Sequence, residues 1–282
     1  MITQLLQEGF PAAVVCQTLG VSRAGYYAHA HGETGLRQQQ DARLRPLVQQ
    51  IFWEHKRRYG ARRIAVELTV RGEVCGPGRV ARLLKQLGLQ AIQPRSFRPR
   101  TTQSRHPLGY SPNLLLEALP PSGINQVWLG DITFVPLAGS CFAYLALLMD
   151  LYSRRIVGWE LDEQMTESLV LAALREAIGW RQPGPELIHH TDRGGQYAGG
   201  EYRRVLRRAR MRQSMSRADN CYDNAFMESC FGTIKTELEM EVYASVLAAQ
   251  QEIGEYLRYY DTKRRHSSLG YLTPREFELS KT

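Results

Sequence analysis

The order of apolar runs between residues 127 and 215 is the feature that most restricts the fold. Three β-rich stretches separated by turn residues come first: 127–135 (VWLGDITFV), 142–151 (FAYLALLMDL) and 156–161 (IVGWEL). Runs of this kind predict strands. The patterns that follow are a helix at 166–180, a strand at 186–191, a helix at 199–210, a strand at 211–215 and helices at 221–238 and 245–260. This order predicts an α/β domain, in which a mixed five-stranded sheet is flanked by helices on both faces.

An aspartate interrupts the first of these strands. Asp131 has apolar residues on both sides. Aspartate is disfavoured in strands, and burial of its charge without a partner is costly. A metal ion or a buried arginine would remove that cost. We therefore interpret Asp131 as a functional carboxylate rather than a turn residue.

Two further acids are candidates to join it. Asp192 follows the fourth predicted strand in HTDRGGQ, at the end of the strand where α/β sheets build their sites. Glu228 lies on the predicted helix 221–238, where Lys235 is on the same side two turns later. The apolar stripe of that helix is on another face and consists of Met227, Cys230, Phe231, Ile234 and Leu238.

Taken singly, Asp192 is also typical of a turn, and Glu228 with Lys235 is typical of a surface pair. Three carboxylates from separate elements, however, suit a pair of Mg²⁺ ions, which prefer oxygen ligands. Two such ions catalyse in-line displacement at a phosphodiester. The sequence has no convincing serine or tyrosine nucleophile motif.

The segments outside this core are helical or irregular. Residues 1–35 predict a helix, a turn at Leu19-Gly20-Val21 and a second helix capped by Ser22, the layout of a helix-turn-helix or of a plain helical hairpin. Residues 36–92 predict a second helical DNA-binding module, and 93–121 a basic, proline-containing linker. The catalytic core is predicted at 122–240, and a helix with a basic tail at 241–282.

Charge is distributed unevenly along the chain. Residues 1–110 contain 17 Lys and Arg against 6 Asp and Glu, whereas residues 111–282 contain 19 against 22. A basic front half and a carboxylate-bearing back half predict a protein that binds DNA. The candidate DNA contacts are Arg23, Arg62, Arg63, Arg79, Arg82, Arg207, Arg264 and Arg265. A solvated helix face is the alternative interpretation for these arginines.

Composition argues against other classes. The longest apolar run, 142–149, is far shorter than the ~20 residues that cross a bilayer. The first residues do not have the pattern of a signal peptide. The five cysteines are scattered without a C-x-x-C pair, which argues against a zinc knuckle or a disulfide framework. We therefore expect a cytoplasmic protein.

Three longer motifs carry a family resemblance: HTDRGGQY, DNCYDNAFMESCFGTIKTEL and RRHSSLGYLTPREF. With 35 residues between Asp192 and Glu228, and Lys235 seven residues later, the chain resembles bacterial insertion-sequence transposases with a retroviral-integrase-like core. Within that family it is similar to the downstream-frame product of the two-frame, copy-out–paste-in group. The resemblance covers roughly residues 20–277.

The resemblance implies an RNase H-like fold, dependence on Mg²⁺ or Mn²⁺, strand cleavage at element ends and transfer of a 3′-hydroxyl end into target DNA. It implies Asp131, Asp192 and Glu228 as metal ligands and Lys235 as a DNA contact. Its implied partners are terminal inverted repeats, target DNA, at least a second copy of the chain, and an upstream-frame DNA-binding protein fused by frameshifting. Asn220 and Asn224, in NCYDN, and His190 are candidates for supporting roles.

Gly130 and Asp219 depart from the family pattern, which often has a hydroxyl residue and a glycine at these positions. Among rival residues, we interpret Asp150 as a turn residue and favour structural hydrogen bonding for His189 and His190. A DNA-binding regulator without catalysis and an RNase H-like nuclease without strand transfer are the alternative functions.

Overall fold

The computed structural model describes residues 1–30, 35–93, 108–116, 118–217, 225–240 and 242–281. The chain forms two compact units, residues 1–91 and 92–282. No helix of the described residues is long and apolar enough to span a bilayer.

The first unit is entirely helical in its described part. Its helices are α1 (Ile2–Gln7), α2 (Ala12–Thr18), α3 (Arg23–Ala30), α4 (Leu36–Glu54), α5 (Ala61–Val70) and α6 (Pro77–Gln86). The predicted cap of α3 is confirmed, because Ser22 Oγ accepts the Gly25 N–H at 3.1 Å. Val80, Leu83 and Leu84 of α6 are buried and form the apolar stripe of that helix.

The second unit contains the predicted mixed five-stranded sheet. Its strands are β1 (Val127–Leu137), β2 (Cys141–Asp150), β3 (Ile156–Asp162), β4 (Ile188–Thr191) and β5 (Arg212–Met215), in the order β3-β2-β1-β4-β5. The first three strands are antiparallel, whereas β1, β4 and β5 are parallel. The connecting helices are α7 (Glu167–Arg181), α8 (Gly195–Ala198) and α9 (Gly200–Arg208).

Helices cover both faces of this sheet, as predicted. Alternate residues of β1, including Val127 and Leu129, pack in one core with α10 (Ala225–Glu237) and α11 (Val246–Thr262). Trp128, on the opposite face, packs in a second core with α7, α8 and α9. Because side chains alternate along a strand, Asp131 belongs to the α10 face, together with Leu129.

The carboxyl-terminal residues fold onto this unit and do not extend as a basic tail. After α11 the chain forms α12 (Pro274–Leu279), whose first turn has a complete capping box between Thr273 and Glu276. Glu278 of α12 is buried and pairs with Arg155 and Arg181. These buried ion pairs attach the end of the chain to the β2–β3 turn and to α7.

Candidate active site

Two of the predicted carboxylates lie side by side on neighbouring strands, Asp131 within β1 and Asp192 directly after β4. Strands β1 and β4 run parallel, and Gly130 lies opposite Thr191. Asp131 follows Gly130, and Asp192 follows Thr191. Adjacent strands are ~4.8 Å apart, so the two aspartates are neighbours. Both side chains are half-buried. Asp131 Oδ1 accepts the Ile132 N–H at 2.8 Å, and Asp192 Oδ1 accepts the Gly194 N–H at 2.9 Å.

A buried phenol lies near both aspartates. Burial raises the pKa of Tyr197 well above its ordinary value, and the charges of Asp131 and Asp192 raise it further. The phenol therefore stays protonated beside the two carboxylates. Sequence reasoning did not identify Tyr197 as a site residue, although it is the last residue of the motif HTDRGGQY.

Helix α10 brings a cation to the same face of the sheet. Lys235 is half-buried, and burial lowers its pKa, whereas the nearby charge of Asp131 raises it. The predicted apolar stripe of α10 is confirmed, since Met227, Cys230, Phe231 and Ile234 are buried against the sheet. Glu228 lies in the first turn of α10 and is exposed, away from that stripe.

The three carboxylates have the donor chemistry of a divalent-cation site, because carboxylate oxygens are the ligands that Mg²⁺ and Mn²⁺ prefer. Within the described ranges, however, no three side chains of His, Cys, Asp or Glu lie close enough together to hold a metal ion. The structure thus brings Asp131 and Asp192 together, and it does not gather Glu228 with them at one point. Asn220 and Asn224 lie outside the described residues.

The adjacent histidines make structural hydrogen bonds, as expected. His189 Nε2 lies 2.7 Å from the Tyr202 hydroxyl, and His190 Nδ1 lies 2.8 Å from Ser214 Oγ. Both side chains are fully buried. Burial, and to a smaller extent the neighbouring His190, lowers the pKa of His189 to about 3, so this ring is neutral in the folded protein.

Asp150 is the turn residue that the sequence predicts. Its Oδ1 accepts the N–H groups of Tyr152 and Ser153, both at 3.0 Å. Its Oδ2 accepts the Asn125 N–H at 2.6 Å. The first two bonds shape the β2–β3 turn, and the third attaches the turn to the segment before β1.

Four of the predicted DNA contacts remain accessible. Arg23 is exposed at the start of α3, and Arg62 is exposed on α5. Arg63 is half-buried, and its guanidinium lies 5.4 Å from the centre of the Tyr59 ring. Arg207 is exposed on α9. These four arginines stay predictions as DNA contacts.

Arg79 and Arg82 instead neutralise a buried acid. Arg79 Nε donates to Asp41 Oδ1 at 2.7 Å, and Arg82 Nη2 lies 2.8 Å from Asp41 Oδ2. Hydrogen bonds from Arg79 and then Arg82 lower the pKa of Asp41. These pairs join α6 to α4, so the two arginines are not the free cations that a phosphate contact requires.

Arg264 and Arg265 also need correction as DNA contacts. Both residues are buried. The guanidinium of Arg264 pairs with Glu237, and Arg265 Nη1 donates to the Tyr271 carbonyl at 3.0 Å. A local run of basic residues does not reveal partners that lie elsewhere in the chain, and these partners turn the side chains inward.

Family models match both parts of the chain. An HTH-like domain matches residues 39–97, which places the helix-turn-helix likeness on the second predicted helical module. Two models of an integrase core domain match residues 121–221 and 209–274.

Relatives extend this likeness over nearly the whole length. An uncharacterised 31 kDa protein of insertion element IS600 from Shigella sonnei is 41% identical, over 93% of this chain and 97% of its own. The transposase InsF for insertion sequence IS3A of Escherichia coli K12 is 38% identical, over 96% and 95%. The chain belongs to the insertion-sequence transposases. The transposase for IS904 from Lactococcus lactis is 40% identical to this transposase, over 83% and 93% of the two chains.

Similar solved structures include retroviral integrases. The HTLV-2 integrase catalytic core domain, in complex with magnesium, has a TM-score of 0.46 and 16% identity, over 56% of this transposase and 98% of that chain. A simian T-cell lymphotropic virus intasome chain has the same TM-score and identity, over 82% and 74%.

The predicted family and fold class are confirmed. The transposase is a polynucleotidyl transferase of DNA transposition with an integrase-like core. An integrase core implies dependence on a divalent metal, and its combination with an HTH-like domain implies DNA as the partner.

Proposed function

We propose that this transposase cleaves DNA strands at the terminal inverted repeats of its element and joins the resulting 3′ ends to target DNA. Asp131, Asp192 and Glu228 are the proposed metal ligands. The observation that carries the proposal is the pairing of Gly130 with Thr191, which sets Asp131 beside Asp192 on the face that α10 covers.

In this proposal the sheet supplies two fixed ligands and the helix supplies a third. Two bound Mg²⁺ or Mn²⁺ ions would activate the attacking oxygen and stabilise the leaving oxygen. Asp131 and Asp192 extend from paired strands, whereas Glu228 has a longer side chain on α10. We expect the first turn of α10 to approach the aspartates when metal and DNA bind, since loop and segment rearrangements accompany binding in many complexes.

The chemistry is a pair of phosphodiester displacements. In cleavage, a water oxygen attacks the phosphorus, the P–O3′ bond breaks, and the 3′ oxygen leaves as a hydroxyl. In strand transfer, that 3′-hydroxyl oxygen attacks a target phosphodiester, so one P–O bond forms as another breaks. The second step conserves the number of phosphodiester bonds and needs no external source of energy.

Basic side chains hold the DNA in this proposal. Lys235 lies near Asp131 and is suited to a phosphate next to the site. Helix α9 and the residues after it present exposed arginines for target DNA at Arg207, Arg208 and Arg210, whereas Arg204 pairs with Glu201. Arg23, Arg62 and Arg63 are the proposed contacts from the helical unit. Synapsis of two element ends requires at least a homodimer, and an upstream-frame DNA-binding protein completes the proposed assembly.

The test is Asp131→Asn, which keeps the shape of the side chain and removes its charge. We expect cleavage of a terminal-repeat duplex to fall by ~10²-fold or more, because removal of even a supporting group at a metal site costs about 10–100-fold. Affinity for the duplex should stay near that of the unmodified protein. Asp162→Asn, at the exposed end of β3, is the matched control. Unchanged cleavage by Asp131→Asn would remove the assignment.

A pre-cut duplex separates a transposase from a nuclease. With a free 3′-hydroxyl end already present, the proposal expects joining to target DNA and its loss in Asp131→Asn. Hydrolysis without joined product would favour a nuclease.

A further inference from the structure

A buried ion pair lies at the carboxyl end of α10. Glu237 is the last residue of this helix, Arg264 follows α11, and the two are 7% and 6% exposed. Arg264 Nε donates to both carboxylate oxygens of Glu237, at 2.9 and 3.0 Å, and Nη2 donates to Oε1 at 2.8 Å. The Tyr256 hydroxyl of α11 donates to Glu237 Oε2 at 3.0 Å. Two donors from different places in the chain therefore fix one carboxylate.

Arg264 is charged although it is enclosed. Burial alone lowers the pKa of Arg264, but the charge and hydrogen bonds of Glu237 outweigh burial and raise it above the ordinary value. A buried ion pair adds little stability compared with well-packed apolar residues. The enclosed position of this pair therefore favours a geometric role.

Helix geometry relates this pair to Glu228. Glu237 is nine residues further along α10, so at ~100° per residue the two side chains point in about opposite directions. Apolar contacts are non-directional and tolerate small rotations of a helix. A guanidinium that contacts both oxygens of a carboxylate fixes orientation as well as distance. The anchored Glu237 thus sets the direction in which Glu228 leaves the helix.

Further contacts hold the same helix. The Arg154 guanidinium, in the β2–β3 turn, lies 4.1 Å from the centre of the Phe226 ring in the first turn of α10. In its middle, Cys230 Sγ lies 3.8 Å from the Tyr260 hydroxyl. Glu237 is the contact at the far end, and it has the most specific geometry of the three.

We propose that Arg264 is a positioning residue for the transposition reaction: through Glu237 it fixes the rotation and axial position of the carboxyl end of α10, and thereby the direction in which the first turn of the helix presents Glu228 when metal and DNA bind. The inference rests on the proposed function, because it takes Glu228 as a metal ligand. It also gives a physical role to two family motifs, since Glu237 lies in TIKTEL and Arg264 in RRHSSLGYLTPREF.

Two variants of the pair provide the test. Arg264→Lys keeps the positive charge and removes the fork that contacts both oxygens. The double variant Glu237→Leu with Arg264→Met removes both charges together and is expected to fold even where a single change leaves an unpaired buried charge. Glu278→Gln is the matched control, because it weakens comparable buried ion pairs, with Arg155 and Arg181, on α12 rather than α10.

Three measurements on the full chain report on the order of α10 and on the role of Glu228 as a metal ligand. The first is amide hydrogen exchange of residues 225–237 in the absence of metal. The second is Mn²⁺ binding, measured by titration calorimetry. The third is the cleavage reaction, for which kcat and KM are determined separately. Both pair variants should exchange faster in α10 and bind Mn²⁺ about 10–100-fold more weakly. Their kcat should fall while KM for DNA stays constant. Glu278→Gln should leave α10 exchange and Mn²⁺ affinity unchanged.

The inference is overturned if the folded double variant keeps the α10 exchange and Mn²⁺ affinity of the unmodified protein, or if Glu278→Gln changes both to the same extent. Glu228→Gln, measured in parallel, separates the two proposals. If Glu228→Gln binds Mn²⁺ and cleaves normally, the proposed function fails. If it loses both properties while the double variant keeps them, only the positioning role fails.

Discussion

At the scale of single residues, Gly130 shows how closely β1, the strand that carries Asp131, packs against β4. A Cβ at this position would lie 2.9 Å from His189 Cε1 and 3.3 Å from Thr191 Cγ2. His189 has little freedom to move, since it is buried and its ring contacts the Tyr202 hydroxyl. The departure from the family's hydroxyl residue at this position therefore matches the local space beside His189.

Gly130→Ala should consequently destabilise the protein. Overpacking of a close-packed core costs about 1–3 kcal/mol, and we expect a loss of that size in the free energy of unfolding, measured in urea. Gly179→Ala is the control, because its added Cβ in α7 would meet no heavy atom within 4 Å outside the backbone of its own helix. That variant should gain ~0.5–1 kcal/mol, as alanine is favoured over glycine within a helix. Equal stability of Gly130→Ala and the unmodified protein would contradict the packing argument.

Asp261 makes stability depend on pH. Burial raises its pKa from 3.8 to about 7, although its Oδ1 accepts the Ile156 N–H at 3.0 Å. Because the folded pKa exceeds the unfolded one, folding takes up a proton between these values. Asp261 thus contributes its full amount to the free energy of unfolding below pH 3.8, and this contribution is lost as the pH rises through about 7.

Asp261→Asn has no such charge and keeps an oxygen that can accept the Ile156 N–H. We expect it to match the unmodified protein near pH 4 and to exceed its free energy of unfolding by on the order of a few kcal/mol at pH 8. Urea unfolding at a series of pH values measures the difference. If the difference in free energy of unfolding between the two proteins were constant across that range, or if the variant were less stable at pH 8, the charged form of Asp261 would be tolerated in the folded protein with little loss of stability.

Residue chemistry alone could predict some of these positions. Asp131 is recognisable because a charge interrupts an apolar strand. Glu237 left a similar signal, since it lies three residues after Ile234 on the buried face of α10. Its partner Arg264 gave no such signal in the sequence, because 27 residues separate Arg264 from Glu237 and the ion pair forms only in the folded chain. Arg264 therefore resembled an exposed DNA contact in the sequence.

At the scale of elements, long apolar runs were the most informative. Patterns at 127–135 and 142–151 predict β1 and β2 to within two residues at either end. Helix α12 was missed because it has only six residues, yet the capping box between Thr273 and Glu276 was a usable signal. Helix α4 begins at Leu36, at the start of the predicted helical module, and its polar first half includes Asp41, which is neutralised by two arginines from α6.

Strand register could not be predicted from individual strand patterns. Alternation of side chains assigns Asp131 to a face, but only pairing with β4 determines which residue lies beside it. The parallel register that places Gly130 opposite Thr191 is a tertiary property. Proximity of Asp131 to Asp192 was accordingly expected from the family resemblance, and the sheet supplies its physical reason.

At the scale of the whole molecule, charge and architecture divide the chain in similar places. Residues 1–110 have a net charge of +11, from 17 basic and 6 acidic residues, and the compact helical unit comprises residues 1–91. Part of this charge is used internally, as Arg79 and Arg82 pair with Asp41 and Arg43 pairs with Glu73. The arginines without such acidic neighbours should account for most of the salt-dependent attraction to DNA.

Salt dependence of DNA binding can test that division. Each phosphate neutralised by the protein contributes about −0.9 to the slope of log affinity against log salt concentration. Arg62→Gln removes an exposed cation from α5, so the slope measured with the full chain on duplex DNA should become shallower by about one. Arg43→Gln removes an exposed arginine of the same unit that Glu73 already neutralises, and it should change the slope much less. If both variants reduce the slope equally, the unit attracts DNA by its total charge, and the ion pairs seen in the fold do not select which arginines reach the phosphates.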